Sequence, residues 1–137
     1  MMSHLIKPFL LLLLMQAGTW SILAQPSQES LLKDLAQLFE RAAIDELAGH
    51  FDSNLQLNLL DQKNFYSKSQ ASIILKEFFA DKPIKSFSIQ HKGGGETNWF
   101  MVGLLQTQKD SYRISLHLRE VDQKRLISFL SIEPNKH

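Results

Sequence analysis

An α+β domain, with N-terminal helices packed on a curved antiparallel sheet, is the fold this sequence predicts. Three observations predict it. Two segments in the first sixty per cent of the chain repeat apolar side chains at helical spacing: Leu31, Leu35 and Leu38 in one, Ala71, Ile74, Leu75 and Phe78 in the other. Four later segments alternate or run apolar at strand length between short polar turns. The chain has 137 residues and no cysteine, so a single core of helices against a sheet must hold it by packing alone.

The first stretch stands outside that core. Lys7 gives a positive start, Phe9 to Met15 is an apolar run, and Ser21-Ile22-Leu23-Ala24 has the small residues of a cleavage region. This is the layout of a secretory signal peptide over residues 1–24, leaving a domain of residues 25–137. A membrane span needs ~20 mostly apolar residues, and Gln16, Gly18 and Thr19 interrupt this shorter run. Lys7 is the only charged side chain ahead of the cut, so acids and bases then balance. A neutral domain lacks the electrostatic footprint of nucleic-acid or anionic-membrane binding. With no cysteine near the cut there is nothing to carry a lipid. The expectation is a bacterial protein exported to the periplasm or exterior, free of the membrane after cleavage.

In the domain, Ser27 or Ser30 caps a first helix whose apolar face is Leu31, Leu35, Leu38 and Ala42, with Leu32, Phe39 and Ala43 beside it. A short helical piece, Ile44 to Ala48, stops at Gly49. Leu55, Leu57 and Leu59 alternate with Gln56 and Asn58 as a strand, and Phe65-Tyr66 is its short return. Ser67 to Gln70 has capping-box spacing and opens a helix that ends before Pro83. Phe87, Ile89 and His91 share one strand parity, and Gly93-Gly94-Gly95 turns the chain. Trp99 to Leu105 is apolar on both parities, the pattern of a strand covered on both faces. Tyr112, Ile114, Leu116 and Leu118 alternate with Arg113, Ser115, His117 and Arg119, and Leu126 to Ile132 is the last strand. These four strands predict an antiparallel meander.

The matching residues of a known family are spread along this domain. They are His50 to Leu57, Tyr66 to Ala71, Ile74 to Phe79, Lys85 to Gly93, Tyr112-Arg113 and Ile132-Glu133. On them the chain resembles the DUF4783 type of small exported proteins of unknown function from Bacteroidetes. The order of elements resembles the cone of the NTF2-like superfamily. That resemblance implies helices on one side of a bent sheet, and a homodimer formed through the sheet's outer face. The superfamily's ketosteroid isomerases pair a carboxylate base with Tyr and protonated Asp donors. Here the base position falls at Asn58 or Leu59, Phe39 stands where a Tyr would serve, and the donor strand offers Ile114 to Leu116. No catalytic role carries over.

Candidate site residues are His91, Trp99, Phe129, Asp52 and Tyr112, read as lining a pocket between the last strands and the first helix. His91 is expected on the core-facing parity, where a histidine can bind a ligand or move a proton near neutral pH. A half-buried strand-end histidine is the plainer reading, since no acid or nucleophile is identifiable beside it. Asp52 reads first as turn chemistry, bonding its own backbone. Trp99, Phe129 and the neighbouring aromatics line an apolar pocket or fill the core. Arg113, His117 and Arg119 form a stripe, for an anion or for solvent. His50, His91, His117 and His137 have no metal-ligand spacing. The glycine triplet lacks the Lys-Ser/Thr and helix of a phosphate loop. The sequence thus predicts a non-enzymatic domain, without cofactor or metal, that binds a small apolar ligand or a protein partner. An enzyme using His91 with Asp52 or Tyr112 is the alternative. A structural partner in an envelope complex would instead show an exposed apolar patch on the Arg113–Arg119 strand or its neighbour.

Overall fold

The computed structural model describes residues 27–136; the expected leader, residues 1–24, and His137 lie outside them. Helix α1 spans Gln28–Glu40 and helix α2 Ile44–Ala48. Strands β1, Phe51–Leu59, and β2, Gln62–Tyr66, form a hairpin, and helix α3 spans Lys68–Phe79. Strands β3, Ile84–Gly94, β4, Asn98–Thr107, β5, Ser111–Val121, and β6, Lys124–Pro134, complete the fold.

Local chemistry sets the helix ends. Ser27 is the cap of α1, its hydroxyl accepting the Ser30 N–H at 3.2 Å. The helix stops where Ala42 takes φ 51, with the Ala43 N–H bonded to the Leu38 carbonyl at 2.9 Å. This is a Schellman turn built on alanine rather than glycine. Ser67 and Gln70 close the expected capping box on α3.

The six strands lie in the order β2-β1-β6-β5-β4-β3. β3 to β6 form the expected antiparallel meander. The sheet as a whole is mixed, because β1 pairs with β6 in parallel. A tight turn forces its two strands to be antiparallel, whereas β1 and β6 are linked through α3 and the whole meander, so no turn dictates their direction. Register shifts between Phe51 and Gln56, Ile89 and His91, and His117 and Leu118 interrupt the ladders. Each adds local twist and bends the sheet.

The helices cover one face of this sheet. α1 lies over β3 and β4, α3 over β1 and β2, and α2 sits between the two longer helices. Leu57, Leu130, Leu116 and Met101 stand side by side on the covered face, all sealed from solvent. Tyr112, Ile114, Leu116 and Leu118 point inward and Arg113, His117 and Arg119 outward, as their alternation predicts. Phe39 stacks on Phe87 with ring centroids 5.3 Å apart, and Phe78 meets Tyr112 edge-on at 5.3 Å. The ring of Phe87 lies directly over Gly103, where a Cβ would collide with it. The space between α1 and the late strands is therefore filled by the protein's own aromatic rings.

Gly103→Ala tests this packing. The added methyl must displace Phe87 from its stack on Phe39, at a cost of about 1–3 kcal/mol. A lowered urea midpoint is expected, with partial recovery when Phe87→Leu is added.

Candidate functional site

Cross-strand partners face the same side of a sheet, so the ladders define what the uncovered face displays. One row crosses all six strands: Phe65, Gln56, Phe129, His117, Phe100 and Gly93. Phe65 is 60% exposed and Phe100 38%. The His117 ring tilts against Phe129 at 5.0 Å, and the Phe100 ring lies over Gly93, 2.9 Å from where a Cβ would sit. The next row on this face is Lys63, Asn58, Ser131, Ser115, Val102 and His91. Beyond it, Glu133, Arg113 and Leu104 stand side by side.

The middle row is a floor of small side chains between larger ones. Asn58 and Ser131 are buried although no helix covers them. The Asn58 Oδ1 is buried without a hydrogen-bond partner, and such an orphan costs roughly 1–3 kcal/mol. At the glycine-rich end, a cleft of about 450 Å³ opens between Phe100, His117, Arg119, Ser128 and Gly94-Gly95. Gly94 holds φ 127 with the Asn98 carbonyl against it, a backbone only glycine adopts freely.

The five residues singled out by sequence lie apart. His91 was expected on the inward parity; it lies on the open face, exposed, opposite Val102. The shift between Ile89 and His91 sets Gln90 as an extra residue, and one extra residue inverts the parity of everything after it. Phe129 also faces outward. Trp99 is inward and 6% exposed. Its Nε1–H donates to the Gly95 carbonyl at 2.7 Å, and the Arg125 guanidinium stacks on its ring at 4.0 Å. Tyr112 is buried against Phe78 on the covered face. His91 and Tyr112 therefore stand on opposite sides of the sheet.

Asp52 sits in strand β1, not in a turn, and its carboxylate is buried. Arg119 reaches it across β6, its Nε–H donating to Oδ2 at 2.7 Å and its Nη2 forming an ion pair with the same oxygen at 2.6 Å, while the Ser53 N–H donates to Oδ1 at 2.7 Å. Burial opposes the charge, but the Arg119 hydrogen bond, the Ser53 N–H and the Arg119 charge outweigh it and hold the carboxyl below its usual 3.8. Glu29, Asp45 and Asp81 are lowered by Lys92, Lys76 and Lys82 at the surface. Among the described residues, no three His, Asp or Glu side chains converge as metal ligands, and no helix is long and apolar enough to cross a membrane.

The sequence pattern of β4 predicts cover on both faces, and there the structure differs: only one face of the strand is covered. In that pattern Phe100, Val102 and Leu104 are as apolar as Trp99, Met101 and Leu105. The described residues cover only the second set.

Residues 32–133 match the family model described as a domain of unknown function, DUF4783. The chain belongs to the DUF4783 family. A DUF4783 protein from Bacteroides uniformis is 21% identical, with a TM-score of 0.72 over 75% of this chain and 95% of that one. Another from Bacteroides fragilis is 23% identical, with a TM-score of 0.70 over 74% and 95%. An NTF2-like protein of unknown function from Cytophaga hutchinsonii is 6% identical, with a TM-score of 0.59 over 83% and 95%. These likenesses establish the DUF4783 domain as an α+β fold of NTF2-like form. No curated protein matches the chain.

In this DUF4783 domain the Asp52–Arg119 pair contributes to the acid side of the stability curve. A carboxyl depressed in the folded state adds stability above its unfolded pKa and loses it as pH falls through the folded value. Arg119→Ala leaves the buried carboxylate without its cation and costs about 1–3 kcal/mol at neutral pH, the lower end reflecting Arg119's exposure to water. Urea midpoints from about pH 6 to about pH 2 are expected to fall more steeply for the parent than for Arg119→Ala.

Proposed function

We propose that this is an exported, non-enzymatic domain that works by binding a protein on the open face of its sheet, and that a second copy of the chain is the partner. The observation that carries the reading is one-sided cover. β4 presents Phe100 and the half-buried Val102 and Leu104 on a face that no described helix covers, and Phe129 and Phe65 stand in the Phe100 row, with His117 and Gln56 between them. An exposed apolar patch rimmed by polar groups marks an interaction surface, and aromatic side chains are enriched at such surfaces.

The dimensions suit a pair of copies. Six strands at ~4.8 Å spacing span roughly 29 Å, and a face of that width supplies about the 800 Å² per partner of a standard interface. Self-repulsion is limited, because Arg119 is answered by Asp52 and Glu133 stands directly across from Arg113. The filled space under α1 counts against a small apolar ligand there, and the separation of His91, Asp52 and Tyr112 counts against their acting together as an enzyme. Export rests on the leader pattern of residues 1–24.

Native mass spectrometry of the protein from its own compartment tests the reading. Two subunits without a small-molecule adduct are expected. Phe100→Glu should weaken pairing by roughly 2 kcal/mol, ~30-fold in Kd, with the fold unchanged by circular dichroism. A single subunit carrying an apolar ligand would overturn it.

A further inference from the structure

A second surface, separate from the open face, lies along the free edge of β2. Among the described residues, the sheet order leaves β2 with a neighbour on one side only. Two residues, Leu60 and Asp61, join β1 to β2, so Leu59 and Gln62 close the hairpin as its hydrogen-bonded pair. By alternation, Lys63 and Phe65 turn their backbone N–H and C=O groups away from β1. The Phe65 N–H is indeed met by the Asn64 side chain, whose Oδ1 accepts it at 2.9 Å. A side-chain amide stands where the carbonyl of a further strand would lie.

Beside this edge runs an apolar groove between β2 and α3. One cleft of about 390 Å³ is walled by Leu57, Leu59, Tyr66, Ile74 and Phe78, with Glu77 on its lining. A smaller one of about 180 Å³ continues past Tyr66 and Ile74 to Ile73 and Gln70. Ile73, 57% exposed, lines the smaller cleft, while Phe65, 60% exposed on the same edge strand, turns its side chain to the open face. Leu60 is held at φ 56, a left-handed backbone that costs a non-glycine residue of order 1–3 kcal/mol. Glu77 is exposed and has no ion-pair partner among the described residues.

We propose that this groove docks an extended segment of a partner protein as a seventh strand on β2. Its backbone displaces the Asn64 amide and bonds Lys63 and Phe65. Its alternate side chains, large and apolar, enter the groove against Ile73, Ile74 and Phe78, because strand side chains point to one face at every second residue. A basic residue of the segment meets Glu77. The site does not depend on pairing through the open face.

Selection of short random-sequence peptides on display against the full chain, followed by titration of the enriched peptides, tests the proposal. Peptides with apolar residues at alternate positions and one Lys or Arg are expected. Ile73→Glu, on an exposed helix position, should weaken them about tenfold or more. Glu77→Lys should shift selection toward acidic peptides, proline within the peptide should abolish binding, and Phe100→Glu should change nothing. No enrichment, enriched peptides indifferent to Ile73→Glu, or peptides displaced by Phe100→Glu would each overturn it. Loss of self-association in Ile73→Glu would assign the groove to a second copy and overturn it as well.

Discussion

Leu57, Leu130, Leu116 and Met101 meet along one row, and the row crosses the joint where β1 runs parallel to β6. The two halves of the protein, the helical hairpin unit and the meander, are held together there. All four side chains are closed to water, and each contributes on the order of 1.5–3 kcal/mol of apolar burial. Because helices cover this face alone, every residue one position along a strand is turned to the other side. One-sided cover thus decides what is core and what is surface throughout the sheet.

The bulges complicate that rule in useful places. One extra residue at Gln90 moves His91 from the inner to the outer side, and another at Ser128 keeps both Phe129 and Ile127 in register with β5 while they face opposite ways. The clasp of Asp52 by Arg119 spans β6 at the end of the sheet where β1 and β5 are also irregular. A buried carboxylate held by Arg119 on one oxygen and by the Ser53 N–H on the other tolerates little movement, so it fixes the start of β1 where ladder bonds are interrupted.

Much of the fold was legible in the residues. Capping chemistry at Ser67 and Gln70, the stop after Ala48 and the clean alternation from Tyr112 to Arg119 are local, and local chemistry survives in any context that forms the element. The candidate site was legible only in part. Asp52, Trp99 and Tyr112 are buried, as pocket or core residues would be, yet each is consumed by its own partner: Arg119, Gly95 with Arg125, and Phe78. Which side chain meets which is a long-range fact. So is the mixed sheet, since a strand's alternation carries no mark of its neighbour's direction.

By itself, then, the sequence determined the elements, their order, the buried parity of β5 and the family, because spacing and capping are properties of neighbours in the chain. It also predicted that β4, apolar on both parities, is covered on both faces. Only the tertiary structure decided that one of those faces is left bare, that His91 is turned outward, and that β2 ends the sheet beside an open groove. Those are outcomes of how many layers the described strands and helices can supply, and helices on one face of a sheet leave the other to whatever it meets.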